Sequence, residues 1–408
     1  MPESPSARLV FANRDFRLYL AARFLAAIAF QMTAVAVGWQ VYDITGDPLF
    51  LGYVGLAGFL PAFLSTLPAG LVADRFDRRR ILIACLGVQA AGALVLLGLA
   101  LSAHARVAPI LWVVALVGMS RAYLAPASQS LLPLLAPAEG FTRAVALSSS
   151  SMQVAMIAGP ALGGLLYAFG SAVVYAAAAA MVAAAAVAAL ALRTPLIARV
   201  AAAGLGGMLA GVHYVWSRKD ILGAISLDLF AVLLGGATAL LPIYARDILH
   251  VGPAGLGLLR GAPSVGAAAM ALLLAHRPLE HRAGAKMFAA VAVFGIATIV
   301  FGLSGSFPVS MAALVVLGAA DNVSVVVRQT LVQIRTPDQM RGRVSAVNWM
   351  FIGASNELGE FESGLTAAWF GTVPAVVIGG LGTLAVAALW AWRFPGLRRI
   401  DRLGEAPK

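Results

Sequence analysis

The sequence predicts an all-α membrane protein with 12 transmembrane helices in two six-helix bundles, and three observations predict it. The 408 residues are 61% hydrophobic and only 12% charged, with a mean hydropathy of +0.89, whereas soluble globular domains carry roughly 25% charged residues. The apolar residues gather into long runs, each near the ~20 residues that a helix needs to cross the hydrocarbon core and well beyond the ~10 of a barrel strand. Polar residues gather between the runs. The densest group is Gly70-Leu-Val-Ala-Asp74-Arg75-Phe-Asp77-Arg78-Arg79-Arg80, a charged turn that cannot sit in lipid and so fixes a membrane edge. Its arginine excess marks that edge as cytoplasmic.

The runs lie near 16–43, 49–73, 81–101, 109–133, 144–169, 171–192, 220–245, 254–275, 285–303, 308–333, 343–370 and 372–393. The first follows Arg8, Arg14 and Arg17, but Arg23 and Gln31 lie within it and it is too long for a signal core, so it reads as a retained helix. Trp39, Tyr42 and Tyr53 flank the outer ends of the first and second runs, where amphipathic rings anchor at the interface. The charged turn joins the second run to the third. Cys85, the one cysteine, sits near the start of the third and leaves no intrachain disulfide to form. Between the sixth and seventh runs, Arg193, Pro195, Arg199, Arg218 and Lys219 surround a Gly/Ala-rich stretch. The organisation read from this is an N-terminal bundle over 1–192, a cytoplasmic linker over 193–219, and a C-terminal bundle with a short cytoplasmic tail over 220–408.

The net charge of +11 sets topology rather than making a nucleic-acid surface. Of the 29 Lys and Arg residues, only Arg106 and Arg246 fall in outer loops, and Arg23, Arg121, Arg260 and Arg328 fall inside helices. The remainder lie in the N-terminus, the inner loops and the C-terminus, which places both termini in the cytoplasm and brings basic groups to anionic lipid headgroups. The two halves also repeat. At a shift of 200 residues Gln129 meets Gln329, Leu131 meets Leu331, Pro137 meets Pro337, Arg143 meets Arg343, Gly159 meets Gly359 and Gly164 meets Gly364; at a shift of 205 Pro48 meets Pro253 and Gly52 meets Gly257. Parallel repeats of this kind hold a substrate site at their interface.

The charged turn, matching at Gly70, Asp74, Arg75, Arg78 and Arg79 and departing at Asp77, resembles the signature loop of the major facilitator superfamily of transporters. Leu331-Val-Gln333-Ile-Arg335-Thr-Pro337-Asp338-Gln-Met-Arg341-Gly342-Arg343-Val344 resembles a stretch of its siderophore- and drug-exporter branch. Met156-Ile-Ala-Gly159-Pro160-Ala-Leu-Gly163-Gly164 looks like the Gly-Pro-rich exporter motif, in which small residues permit close helix approach and the proline removes a backbone hydrogen bond. The resemblance spans about Phe16 to Phe394. It implies a monomeric secondary transporter of the bacterial inner membrane. It also implies that the Gly70–Arg79 loop works as a latch, with Asp74 stabilised at a helix N-terminus or by facing arginines. Runs 1, 4, 7 and 10 would line the central cavity.

Each of those four runs carries a charge, which is costly in a membrane and therefore a functional candidate: Arg23, Arg121, Asp228, and Asp321 with Arg328. A carboxylate in a dry cavity takes up a proton more readily, and a nearby guanidinium opposes that. Asp228 and Asp321 are therefore proton-coupling candidates, against the alternative that they form fixed ion pairs with Arg121 or Arg328. Glu357 is a rival, sharing a face with Glu360 in the eleventh run, while Glu362 points elsewhere. Arg23, Gln31, Arg121, Asn322 and Arg328 are the substrate-cavity candidates. Basic groups concentrate in the first half and acids in the second, which permits ion pairs between halves. His104, His213, His250, His276 and His281 lie in loops or the linker, with no zinc spacing, and the sequence has no Gly-x-x-x-x-Gly-Lys-Ser/Thr phosphate loop. No metal, cofactor or enzymatic activity is expected. The expected partners are a small-molecule substrate, protons and lipids. The leading expectation is a proton-coupled, siderophore-exporter-like protein, followed by a multidrug or macrolide efflux antiporter, then an uptake permease, and last a polytopic enzyme or sensor.

Overall fold

Lipid offers the backbone no hydrogen-bond partner, so long apolar runs fold into helices that satisfy their own N–H and C=O groups. The computed structural model describes residues 12–102, 106–136, 140–193, 205–277, 279 and 281–401, and every regular element among them is helical. His104, Pro137, Pro195 and Arg199 lie outside the described residues. The elements are α1 (Arg14–Thr45), α2 (Pro48–Arg75), α3 (Arg78–Leu101), α4 (Val107–Leu135), α5 (Phe141–Tyr167), α6 (Ser171–Leu190) and α7 (Leu205–Ser217). Then come α8 (Lys219–Leu234), α9 (Gly252–His276), α10 (Ala283–Leu303), α11 (Phe307–Arg335), α12 (Asp338–Phe370), α13 (Thr372–Arg393) and α14 (Pro395–Arg398). Among the described residues, 11 helical stretches are long and apolar enough to cross a membrane. The run expected over 343–370 lies in α12, a helix of 33 residues whose Arg343, Glu357, Glu360 and Glu362 keep it outside that set.

Helix ends follow local chemistry. Asn13 Oδ1 accepts from the N–H groups of Asp15 (3.0 Å) and Phe16 (3.2 Å) at the start of α1, and Asp77 Oδ1 accepts from Arg79 N (2.9 Å) at the start of α3, each satisfying orphan donors. Helices α5 and α12 give way to Gly170 and Gly371 at φ of +109° and +88°, a region that strains any residue with a Cβ.

The internal repeat extends to whole helices. α4 and α11 begin and end 200 residues apart, and the starts of α1 and α8, and of α3 and α10, are 205 apart. The chain folds into two compact units. The first takes Met1–Thr45, Ala57–Ala202 and Pro253–Gly261; the second takes Gly46–Leu56, Ala203–Gly252 and Ala262–Lys408. Each unit thus includes the first turns of one helix from the other half of the sequence.

The cores of the two units use equivalent helices. In the first, Ala22 and Ala26 of α1, Leu82 and Leu86 of α3, Leu131 of α4 and Ala178 of α6 are buried together. In the second, Leu227 and Ala231 of α8, Met287 and Val291 of α10, Leu331 of α11 and Val386 of α13 do the same. Leu131 and Leu331, paired by the sequence repeat, occupy the same place in their respective cores. Close approach depends on glycine in both. A Cβ on Gly118 of α4 would strike the carbonyl of Gly58, and one on Gly318 of α11 would strike the carbonyl of Pro263. In the first unit Gly164 of α5 lies against Gly257 of α9; in the second Gly364 of α12 lies against Gly52 of α2.

Two features differ from the sequence reading. The run expected as one helix over 220–245 breaks after Leu234. Gly235 and Gly236 interrupt it, and the chain continues through a 3₁₀ turn (Ala237–Leu240), a short α turn and a π turn (Tyr244–Ile248). Thr383 Oγ1 donates to the Ala231 carbonyl at the break (2.9 Å). The linker also holds a helix, α7, whose Val215 is buried with Ile221, Ile225, Val332, Val344 and Val347 of the second unit. At the chain's end, Asp401 Oδ1 accepts from Arg282 N (2.8 Å), and the carbonyls of Asp401 and Ile400 accept from the first two N–H groups of α10 (3.0 Å each).

The glycine contacts generate a prediction. Gly118→Val forces a side chain into a neighbouring backbone, an overpacking cost of roughly 1–3 kcal/mol or more, and should lower the melting midpoint of the detergent-solubilised protein. Gly98→Val, where a Cβ meets nothing within 4 Å, should leave it unchanged.

Candidate functional site

The charged turn between α2 and α3 is a capping device within the first unit. Arg78 Nη1 donates to the Ser130 carbonyl of α4 (3.2 Å). Arg79 Nε donates to the Ala189 carbonyl of α6 (3.3 Å) and its Nη2 to the Leu190 carbonyl. The last carbonyls of a helix have no partner within it and sit at the negative end of its dipole, so Arg79 supplies both hydrogen bonds and charge there. Arg80 forms an exposed 3.9 Å pair with Asp77, and Arg75 is exposed. A Cβ on Gly70 would meet nothing within 4 Å. The Asp74 side chain lies outside the described residues.

Inside the membrane helices of the first unit, polar side chains of α1 bond to α4 and α5. Tyr19 Oη donates to the Ser128 carbonyl of α4 (2.7 Å). Arg23 Nη1 donates to Tyr19 Oη (3.1 Å) and to Ser148 Oγ of α5 (2.7 Å). One turn spacing puts Tyr19 and Arg23 on the same face, which ties α1 to α4 and α5. The Arg121 guanidinium lies 3.6 Å from the Phe30 ring centroid, a cation–π contact, and its side chain is exposed. Gln31 and Met32 face the glycine motif: a Cβ on Gly159 would sit 2.6 Å from Gln31 Cβ, and one on Gly163 would sit 2.8 Å from Met32 Cα. Gly159, Pro160, Gly163 and Gly164 are all buried, so this stretch works by close packing against α1 and the start of α9.

In the second unit, α8 and α11 bring Asp228, Asp321 and Arg328 together. Asp228 is 6% exposed and Arg328 1% exposed, and Arg328 Nη1 pairs with Asp228 Oδ2. A cavity with room for about one water is lined by Asp228, Ala231, Val232, Val291, Phe294, Ala320, Asp321 and Ser324. Two carboxylates therefore line one largely apolar cavity, and one of them, Asp228, is paired with Arg328. Arg328 Nε is buried with no hydrogen-bond partner, which leaves the guanidinium with unused donor capacity. This ion pair forms inside one half of the chain.

Glu357 is not among the residues lining that cavity. It is half-buried on α12, where the next turn, at Glu360, packs on Gly55 of α2, with 2.8 Å between Glu360 Cβ and the position of a Cβ on Gly55. Glu362 accepts from Thr366 Oγ1 (2.7 Å). Sequence reasoning missed the break at Gly235 beside this site. The Phe294 ring that lines the acid cavity also lies 2.5 Å from where a Gly235 Cβ would be. The signal was present as two adjacent glycines in an apolar run.

The buried pair has a measurable consequence. Arg328→Met leaves the buried Asp228 without its cation and should cost about 3–5 kcal/mol, as loss of one partner of a buried pair does. Adding Asp228→Asn to it should restore part of the melting midpoint in detergent.

The family described as transmembrane secretion effector matches residues 5–406. Enterobactin exporter EntS of Citrobacter koseri is 27% identical over 409 residues, covering 98% of this chain and 96% of its own. Multidrug efflux pump Tap of Mycobacterium bovis is 28% identical over 420 residues, covering 95% of each. In fold, the chain is similar to a bacterial homologue of the human lysosomal transporter Spinster in an inward-facing and occupied conformation (TM-score 0.73, 14% identity, 93% of this chain and 96% of that one). It is likewise similar to a bacterial homologue of the iron transporter ferroportin in an inward-facing state (TM-score 0.73, 15% identity, 93% and 98%). The protein is thus a multi-pass transporter of the bacterial inner membrane and not an enzyme. The chain belongs to the transmembrane secretion effector family, within the major facilitator superfamily.

Proposed function

We propose that the protein exports small organic molecules across the inner membrane, driven by protons and working by alternating access between two bundles of six crossing helices. In this reading α12 is also a crossing, the eleventh along the chain and the one that brings the count to twelve, both termini are cytoplasmic, and the working unit is a monomer in contact with membrane lipids. The observation that carries proton coupling is the buried Asp228–Arg328 pair, with half-buried Asp321 lining the same small cavity as Asp228. One guanidinium balances one carboxylate. A proton supplies the charge balance that Arg328 cannot supply twice, and an unbalanced charge at that depth is costly. Exchange of Arg328 between the two acids as the helices move would then load a proton on one and release it from the other. The break at Gly235–Gly236, packed on the same Phe294 ring, gives α8 a joint beside the site.

Export rather than uptake is supported by the relatives named as exporters and by the buried Gly159–Gly164 packing motif. A siderophore-exporter-like substrate is supported by likeness to EntS over 98% of the chain. Multidrug efflux is the second reading, favoured by an equal likeness to Tap. The latch role of the charged turn extends from the hydrogen bonds that Arg78 makes to a carbonyl of α4 and Arg79 to the terminal carbonyls of α6.

Proteoliposomes loaded with a pH dye and challenged with catecholate siderophores, macrolides and cationic dyes test the coupling. Substrate-dependent proton movement is expected, reduced about tenfold or more by Asp228→Asn or Asp321→Asn and retained in Glu357→Gln. Intact coupling in both aspartate variants with loss in Glu357→Gln would move the proton site to α12, and downhill substrate movement without any proton signal would leave a facilitator. Responses to dyes and macrolides alone would select the multidrug reading. Asp74→Asn should insert at normal levels but transport several-fold more slowly; wild-type rates would remove the latch.

A further inference from the structure

The cavity beside Asp228 and Asp321 lies where the internal repeat exchanges a large side chain for a small one. The 200-residue offset that lays α4 on α11 carries Leu124 onto Ser324. Leu124 is half-buried and packs against the core of the first unit. Ser324 is 3% exposed and lines the cavity together with the two aspartates. The shorter side chain leaves room on that face of α11 and ends in a hydroxyl instead of methyl groups. The fold alone does not ask for that hydroxyl, because the equivalent helix of the first unit is built without it.

Hydroxyls on membrane helices commonly bond back one turn. Thr330 Oγ1 donates to the Val326 carbonyl on the same helix (2.7 Å), and Thr298 Oγ1 donates to the Phe294 carbonyl on α10 (2.9 Å). Among the described residues, the Ser324 hydroxyl makes no such bond and has no other protein partner. Buried polar groups find a protein or water partner in the great majority of cases, and the protein offers none here. Asp321, Ser324 and Arg328 follow one another at helical spacing on one face of α11, with Ser324 between the other two. Arg328 pairs with Asp228 through Oδ2, which leaves Oδ1 as a second acceptor. A buried water makes about three hydrogen bonds, and the cavity supplies three groups for them: the Asp228 carboxylate, the Asp321 carboxyl group and the Ser324 hydroxyl. The charged groups here are Asp228 of α8 and Asp321 of α11, with Arg328 of α11 on Asp228. α10 contributes Val291 and Phe294, and α12 and α13, which also pack on α8, place no described charged side chain in the lining.

We infer that the cavity is a site for one water, held by Ser324 between Asp228 and Asp321, through which a proton passes from one aspartate to the other. This rests on the proton-driven reading of the same cavity and adds Ser324 to it as a positioning residue. The protonated carboxyl group of Asp321 donates to the water oxygen. The water donates one hydrogen to Asp228 Oδ1 and the other to Ser324 Oγ. As the Asp321 proton moves onto the water, the hydrogen facing Asp228 moves onto that carboxylate. One O–H bond forms for each that breaks, the water is regenerated, and the negative charge passes from Asp228 to Asp321 with no other reactant. Ser324 keeps its own hydrogen and fixes the orientation of the water. The charge that arrives on Asp321 then draws Arg328 away from Asp228.

The test is infrared difference spectroscopy of the full-length protein in nanodiscs after a pH jump, without substrate or gradient, in ordinary water and in water labelled with heavy oxygen. The wild type should show a carboxyl band that Asp228→Asn or Asp321→Asn reduces, and a water O–H band that shifts with the label. Ser324→Ala should lose or move the water band and slow the carboxyl change about tenfold, the effect on a rate of one lost hydrogen bond. Ser324→Thr, which keeps the hydroxyl, should keep part of that rate. Ser324→Val, which fills the cavity, should abolish the water band; if it fails to fold, Ser324→Ala decides. A wild type with no label-sensitive band, or a Ser324→Ala protein with unchanged band and rate, would overturn the site. Its failure is distinct from failure of coupling. Substrate-driven proton movement in proteoliposomes that Ser324→Ala leaves at the wild-type rate removes the relay alone. A Ser324-dependent water band with no substrate-driven proton movement removes the proton-driven reading and leaves the water site.

Discussion

Helices in lipid gain little from apolar contact with one another, because lipid tails are as apolar as leucine. What remains is close backbone approach, and this fold depends on it. Gly118 on Gly58, Gly318 on Pro263, Gly164 on Gly257 and Gly364 on Gly52 each place one helix directly on the backbone of another. The same four contacts obey the internal repeat. Glycine positions, more than the apolar residues around them, therefore fix which helix faces meet, and with that which polar side chains point into each unit.

The charges follow from that placement. Arg328 and Asp228 can be buried because each compensates the other in a region where an isolated charge is very costly, and Arg79 is held at the terminal carbonyls of α6. Arg23 reaches two hydroxyl oxygens instead of an acid. Arg328, Arg23 and Arg121 thus meet a carboxylate, a pair of hydroxyls and an aromatic face in turn. The two halves share one scaffold and have diverged in electrostatics.

Much of this was legible in the sequence. The charged turn at Asp74–Arg80 placed a membrane edge, and the offsets of 200 and 205 residues anticipated the matching of α4 with α11 and of α2 with α9. The helix-packing role of Gly159, Gly163 and Gly164 followed from small residues at helical spacing. Side-chain partnership was not legible, because it depends on helix rotation. Asp228, Asp321 and Arg328 were read as candidates, but nothing in their spacing distinguished a pair within one half from a pair between halves. The break at Gly235 was lost inside an apolar run because hydropathy is indifferent to backbone hydrogen bonds. α7 was hidden by a Gly/Ala-rich composition that reads as linker, and only its packing through Val215 gives it a place.

The exchange of helix ends between the units bears on how the chain is made. The first unit includes Pro253–Gly261, so its packing is incomplete when synthesis passes the linker, and Gly164 has no Gly257 to meet until roughly sixty further residues have emerged. At about 5–20 residues per second that is a wait on the order of 3–12 s. During that interval the early helices are already in the membrane with one seam open. The two halves of the sequence are consecutive in time but not separately finished.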